Sequence, residues 1–147
     1  MQFTKAEEYG LLGVLHLAAK DRTSVTPLSE VSEAKDIPEK FLAKIFQSLS
    51  RSGIVRSHRG VRGGFTLTRD PEQVTIREVL ESIQGPYHLL KCVQDSHLCD
   101  KSDGCSVRNL LILAEAQLWQ VFDTHTLADL IGWEAGQLSP AQQLRSL

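Results

Sequence analysis

Three glycines fall within residues 59–64, and they separate two short runs in which apolar and polar residues partly alternate. The runs 54–58 and 65–68 predict two strands, and the glycines between them predict a sharp turn. Helical periodicity dominates on both sides of this segment, so one short hairpin has to fit into a chain of helices. We therefore expect a mainly α fold that carries a small β-hairpin.

Three helices are predicted before the hairpin. Thr4 and Glu7 form a capping-box pattern that begins a helix reaching about residue 20. Thr26 and Pro27 predict the start of a second, short helix, whereas 38–53 predicts a third that begins at a proline and ends at a glycine. One stripe of the third helix is apolar and is predicted to face the core: Phe41, Leu42, Ile45, Phe46 and Leu49. The second and third helices, joined by a short turn, form a helix-turn-helix pattern.

Basic residues concentrate around the third helix and the hairpin. Residues 51–69 carry five Arg and no acidic residue, although the whole chain has a net charge of −2 at pH 7. A helix-turn-helix followed by a basic hairpin is the winged-helix arrangement, which suits binding of duplex DNA by the third helix and the wing. The predicted DNA-binding side chains are Thr26, Lys40, Lys44, Gln47, His58, Arg59 and Arg62.

After the hairpin the sequence predicts a helix, an irregular segment and a long final helix. Thr75 and Glu78 form a second capping box, and Ser106 is a candidate N-cap for a helix that runs to about residue 131. The final helix has an apolar face that is too broad for the few other elements to cover. We expect His125 to face the seam of a homodimer whose interface includes Leu111, Ala114, Leu118 and Val121. The predicted organisation is a winged helix-turn-helix domain at 1–86, a cluster-binding loop at 87–105, a dimerisation helix at 106–131 and a flexible tail at 132–147.

All three cysteines lie in the irregular segment, at Cys92, Cys99 and Cys105. Zinc sites usually pair cysteines about two to four residues apart, so these wider spacings fit zinc poorly. An odd number of cysteines argues against a disulfide scaffold. Soft thiolates in a wide loop suit an iron–sulfur cluster of either two-iron or four-iron type, with a fourth ligand from elsewhere. Free thiols that act as a redox switch are the alternative.

Several short motifs occur together in an order that is specific to one family. They are the Leu-rich helix after Thr4-Lys5, Ile37-Pro38 before Leu42, Arg59-Gly60 with Gly63-Gly64-Phe65, Gly85-Pro86, the three cysteines, and Thr126-Leu127-Ala128-Asp129-Leu130. On these residues, over about 1–131, the chain resembles the iron–sulfur winged-helix transcription regulators, the family that includes IscR, NsrR and RirA.

The resemblance implies a homodimer that holds one cluster per subunit beside the dimer interface. It also implies that the state of the cluster controls affinity for a palindromic promoter site. Some members supply a histidine ligand three residues after the last cysteine, where this chain has Arg108. Others supply a carboxylate from the first helix of the partner subunit, and Glu8 occupies that place. Glu8 is the favoured fourth ligand, and the other candidates are Glu7, Asp95, His97 and Asp103.

Several classes of protein are excluded or left as alternatives. No apolar run reaches membrane-spanning length and no signal-peptide pattern is present, so we expect a cytoplasmic protein with no membrane association. Neither a Ser/His/Asp order nor a phosphate loop indicates an enzyme. We expect a DNA-binding regulator, by default a repressor, that is controlled by its cluster. A cluster-free thiol sensor and a small iron–sulfur electron carrier are the alternatives.

Overall fold

The computed structural model describes residues 3–101 and 103–145. Its elements are α1 (Lys5–Ala18), α2 (Leu28–Lys35), α3 (Glu39–Arg51), β1 (Val55–His58), β2 (Gly64–Leu67), α4 (Ile76–Gln84), α5 (Lys91–Gln94), α6 (Ser106–Thr124), α7 (Leu127–Glu134) and α8 (Pro140–Arg145), with 3₁₀ turns at Pro71–Gln73 and Ser96–Leu98. The expected mainly α fold with a β-hairpin is confirmed. Within the described ranges, no helix is long and apolar enough to cross a membrane.

Both predicted capping boxes are present. At the start of α1 the Glu7 N–H donates to the Thr4 hydroxyl at 3.3 Å, and the Glu7 carboxylate accepts from the Thr4 N–H at 2.7 Å. Thr75 and Glu78 make the same reciprocal pair at the start of α4. Each box satisfies N–H groups that the first turn of a helix leaves unpaired, so the two helices begin where the sequence indicates.

The end of α3 is fixed by a glycine turn. Gly53 has a φ of +76°, a conformation that residues with a side chain rarely adopt. Its N–H donates to the carbonyl of Ser50 at 3.1 Å, and the N–H of Ile54 donates to the carbonyl of Leu49 at 3.0 Å. This is the Schellman arrangement, which satisfies the last carbonyls of the helix. It redirects the chain into β1 directly after α3.

The hairpin is attached to the helix-turn-helix by its own backbone. β1 and β2 pair antiparallel, with Val55 opposite Leu67 and His58 opposite Gly64. Thr26 and Phe65 exchange N–H to carbonyl hydrogen bonds of 3.0 and 2.9 Å, which join β2 to the segment before α2. Gly64 permits this approach, because a Cβ at that position would collide with the carbonyl oxygen of Thr26.

One hydrophobic core joins α1, α2, α3, the hairpin, α4 and α7. Phe46 lies at its centre with no exposed surface, and its ring meets Phe65 edge-on at a centroid distance of 4.9 Å. Leu42, Ile45 and Leu49 of α3 are buried on the same side. Their burial orients α3 so that its opposite face is exposed.

The prediction of one long final helix is wrong in one respect, because this part of the chain forms two helices. α6 ends at Thr124 and α7 begins at Leu127. Thr126 caps α7 in a third capping box with Asp129, whose carboxylate accepts from the Thr126 N–H at 2.8 Å. In addition, the His125 carbonyl accepts from the N–H of Ile76 at 3.0 Å. These bonds replace the ones that would continue the helix, and they fix the break against the start of α4.

Both ends of the final region also differ from expectation. Cys105, not Ser106, is the N-cap of α6, and its Sγ accepts from the N–H of Arg108 at 3.5 Å. The segment expected to be a flexible tail contains the end of α7 and the short helix α8. Residues 146 and 147 lie outside the described residues.

Candidate DNA interface and cysteine loop

α3 presents a polar face opposite its buried stripe. Lys40, Lys44 and Gln47 are exposed, as the sequence predicts. They recur three to four residues apart on one side of the helix, so they share a face. The Schellman turn and the core fix the helix axis, which leaves these side chains free to enter a major groove.

The prediction that Phe41 belongs to the core is wrong, because 59% of this residue is exposed. The stripe Leu42, Ile45, Phe46 and Leu49 already has the full spacing of a buried helical face, and Phe41 falls one residue to its side. Phe41 is therefore an apolar group on the surface of the helix that carries Lys40 and Lys44. An exposed aromatic ring at such a place suits contact with the methyl group of thymine.

Thr26 does not lie on the surface, so its predicted side-chain contact with DNA is corrected. The residue is 1% exposed, because it is paired with Phe65 through the backbone and covered by the hairpin. α2 begins two residues later, at Leu28, with Pro27 as its N-cap. The role that the structure gives Thr26 is to hold the wing against the helix-turn-helix.

The wing carries two unpaired arginines at its tip. Arg59 and Arg62 are exposed, and neither guanidinium has an acidic partner among the described side chains. His58 is half-buried, and its Nε2 lies 2.9 Å from the Thr66 hydroxyl on β2. Arg69, at the base, differs because it donates to Glu78 at 2.9 Å. The tip thus combines two free cations with a turn that closes by a 2.9 Å hydrogen bond from the Gly63 N–H to the Gly60 carbonyl.

The three cysteines lie where the sequence places them, in the loop between α4 and α6. All three are half-buried, and none forms a disulfide. The short helix α5 and the following 3₁₀ turn contain no buried residue, so the loop has little core of its own. Among the described residues, no three His, Cys, Asp or Glu side chains converge closely enough to hold a metal ion.

The thiols suit iron chemically but do not form a complete site among the described residues. Three free thiols are the soft donor set that iron–sulfur clusters use. Because these donors do not converge in the described chain, a cluster would have to draw the loop together.

The carboxylates that could supply a fourth ligand differ in how exposed they are. Glu8 is half-exposed on α1, and its carboxylate accepts from Lys5 Nζ at 2.8 Å. Glu7 is fully buried and is occupied by the capping box with Thr4. Asp95 Oδ1 accepts from the N–H of His97 at 2.9 Å. Of the two glutamates on α1, Glu8 is the one whose carboxylate could reach a second subunit.

α6 exposes an apolar face that nothing in the described chain covers. Val107, Leu110, Leu113 and Val121 are between 52% and 64% exposed. The four residues predicted for the dimer interface lie on or beside this face: Ala114 and Val121 are exposed, and Leu111 and Leu118 are half-buried. His125 is half-buried, and its ring lies 5.4 Å from that of Trp133 on α7.

An exposed basic helix fixed beside an arginine-tipped hairpin defines a winged-helix DNA-binding transcription regulator. The chain matches the model of the Rrf2 family, described as iron-dependent transcriptional regulators, over residues 3–132. The protein belongs to the Rrf2 family. An HTH-type transcriptional regulator of Aquifex aeolicus (strain VF5) is 30% identical over 145 residues, which span 97% of this chain and 100% of that protein.

Solved structures show the same fold over most of the chain. CymR (YrzC), the global cysteine regulator of B. subtilis, superposes with a TM-score of 0.75 at 25% identity, covering 90% of this chain and 98% of that one. A transcriptional regulator from Listeria innocua gives 0.77 at 27% identity, covering 95% and 91%. IscR of T. potens gives 0.69 at 21% identity, covering 97% and 96%, which supports the fold alone.

These similarities confirm the expected class. The protein is a DNA-binding transcription regulator and not an enzyme, since its homologues are regulators. Membership in this family also sets aside the electron-carrier alternative. The cluster, its ligands, the homodimer and the DNA-contacting side chains stay predictions.

Proposed function

We propose that the protein is a homodimeric repressor whose binding to a palindromic promoter site is controlled by an iron–sulfur cluster of two-iron or four-iron type. One observation carries this proposal: a loop of three free, half-buried thiols, Cys92, Cys99 and Cys105, connects the helix beside the wing to the helix with the uncovered apolar face. A regulator of promoter DNA would work in the cytoplasm.

DNA binding is assigned to α3 and the wing. Lys40, Lys44 and Gln47 would enter the major groove, with Phe41 beside them as an apolar contact. Arg59 and Arg62 would bind phosphates or the adjacent minor groove, and the half-buried His58 would support the wing through Thr66. Two copies related by a twofold axis would place their α3 helices about 34 Å apart, one helical turn of DNA.

The apolar face of α6 is assigned to the dimer. Fully burying one leucine contributes about 1.5–3 kcal/mol, and this face exposes Leu110 and Leu113 together with Val107 and Val121. Leu111, Ala114 and Leu118 would complete the buried seam. A second copy of α6 is the occupant that supplies an equally apolar surface, and a palindromic site requires the twofold symmetry that results.

The three thiolates are assigned as cluster ligands, with Glu8 from the partner subunit as the fourth. A bound cluster would supply iron that reacts with oxidants or nitric oxide. The carboxylate of Glu8 is a harder and weaker iron ligand than a thiolate, so it would leave one iron the most labile. Because the loop lacks buried side chains, drawing its cysteines together would order it and change how α4 and α6 are connected.

Anaerobic reconstitution with iron and sulfide tests the cluster. We expect absorbance, EPR and native mass spectrometry of the full chain to show one cluster per subunit, and promoter affinity to change when it is removed. Cys99→Ser should abolish stable binding, whereas Gln94→Ala, an exposed neighbour, should not. Glu8→Ala should leave a more fragile cluster with an altered spectrum. Wild-type occupancy in Cys99→Ser would rule out the ligand set.

A thiol switch without a cluster is the second candidate, and it is supported by three free thiols in a loop with no buried residue in its short helix or its 3₁₀ turn. In that case two of the three thiols would lose two electrons and two protons to an oxidant and form one S–S bond. Treating iron-free protein with diamide tests this. A reversible change in promoter affinity without iron would support the switch, and no change would leave the cluster as the control element.

A further inference from the structure

The first part of the cysteine loop lies along one face of α6. The Tyr87 and Trp119 rings meet edge-on at a centroid distance of 6.1 Å. Further along the loop, Glu115 accepts from the Leu89 N–H at 2.8 Å, and its other oxygen lies 3.0 Å from His88 Nδ1. We call residues 87–92 the strap, because successive contacts fasten them to α6 in antiparallel order.

Arg108 fastens the far end of the strap. Its Nε donates to the Cys92 carbonyl at 2.8 Å, while its backbone N–H donates to Cys105 Sγ at 3.5 Å. A single residue of α6 is therefore bonded to the first and the third cysteine. The hydrogen bond that the structure gives Cys99 is local, from its N–H to the Ser96 carbonyl at 3.3 Å.

The strap and the apolar face occupy opposite sides of α6. Arg108, Glu115 and Trp119 are seven and four residues apart, which places them on one side of a helix with about 3.6 residues per turn. Leu110 and Leu113 project on the other side and are exposed. Glu115 is mostly buried, with 12% of its side chain exposed, so its carboxylate forms hydrogen bonds with the strap rather than with solvent.

We propose that Arg108 and Glu115 are positioning residues, which hold the strap on α6 and so fix Cys92 relative to Cys105 before any cluster is present. This inference rests on the proposed function, because the positioning serves cluster binding. Two cysteines that are already held in place reduce the conformational freedom that the loop has to lose when a cluster binds. The geometry of the strap is independent of that function.

Site-resolved alkylation of the iron-free full chain tests the proposal. Iodoacetamide pulses followed by mass spectrometry give a separate rate for each cysteine. Removing a charge-assisted hydrogen bond should release the strap, so Arg108→Gln and Glu115→Ala should each raise the rate at Cys92 by about tenfold. The rate at Cys99 should stay within about twofold of wild type. Arg108→Lys keeps a cationic donor and should restore most of the protection.

Lys101→Gln is the matched control, since it removes an exposed cation from the same loop and should leave all three rates unchanged. Circular dichroism melting confirms that each variant folds. Selective acceleration at Cys92 supports the positioning role. Unchanged rates, or equal acceleration at all three cysteines, would overturn it. If the wild type takes up no cluster while Cys92 responds selectively, the proposed function fails and the strap stands.

Discussion

Replacing the two wing arginines should weaken promoter binding without weakening the fold. Arg59 and Arg62 are exposed, and neither has an acidic partner among the described side chains, so Arg59→Ala/Arg62→Ala removes no stabilising ion pair. Each phosphate contact contributes about 0.9 to the slope of log K against log salt concentration. Two arginines in each of two subunits make up to about four contacts, so the slope should fall in magnitude by up to about 3.6.

Fluorescence anisotropy with labelled promoter DNA, over about 50–300 mM salt, measures this slope. Lys101→Ala is the control, because Lys101 is an exposed cation of the cysteine loop and lies outside α3 and the wing. The control should leave the slope unchanged. An unaltered slope in the double variant, or an equal fall in Lys101→Ala, would refute the assignment of phosphate contacts to the wing tip.

Three further predictions concern assembly, the core and pH. Leu110→Glu places a charge on the apolar face of α6, so analytical ultracentrifugation should show a monomer that no longer binds a palindromic site; a wild-type monomer at micromolar concentration would contradict this. Phe46→Ala should lower the free energy of unfolding by about 3–5 kcal/mol in urea denaturation, since Phe46 is fully buried; a loss below about 1 kcal/mol would show that the core is placed wrongly. Burial alone would raise the pKa of Glu78, but hydrogen bonds from the Thr75 N–H and from Arg69 outweigh it, and the net pKa is lowered. Stability from this carboxylate is therefore present above the ordinary glutamate pKa of about 4.3 and is lost as pH falls below it. Glu78→Gln should flatten that acid dependence of the free energy of unfolding, and an unchanged dependence would contradict the assignment.

Features that depend on local chemistry were predictable from the sequence. The capping boxes at Thr4 and Thr75, the stop at Gly53 and the hairpin around Gly63 each involve residues only a few positions apart. Their outcome therefore does not depend on the rest of the fold. The winged-helix class followed from the order of these local elements.

The errors arose where two local patterns compete or where the tertiary structure decides. The apolar spacing of the final helix continues through residue 125, but the capping box of Thr126 and Asp129 interrupts it. The Thr-x-x-Asp pattern is present in the sequence, but the apolar periodicity alone predicts an unbroken helix across it. The burial of Thr26 could not be predicted, because it depends on pairing with Phe65, which is distant in sequence.

The candidate site also has a part that the sequence predicts and a part that depends on the tertiary structure. The cysteines and the wing arginines were visible as residue types in a pattern. The bonds of Arg108 to Cys92 and of Glu115 to Leu89 cross 16 and 26 residues, and no short motif encodes them. Arg108 could be noticed only as a departure from the family pattern.

A continuous series of contacts connects the cysteine loop to the wing. The strap is fastened to α6, and on α6 the Trp119 ring lies 4.5 Å beneath the Arg77 guanidinium of α4. Arg77 also donates to Asp123 of α6 at 2.8 Å, so α4 and α6 are joined by a stacked cation and an ion pair.

The next residue of α4, Glu78, accepts from Arg69 at the base of the wing at 2.9 Å. A change in the loop that moves α6 would therefore move α4, and with it the anchor of the wing. Because a palindromic site fixes the separation of two DNA-binding heads, even a small change in that anchor would alter affinity at both half-sites together.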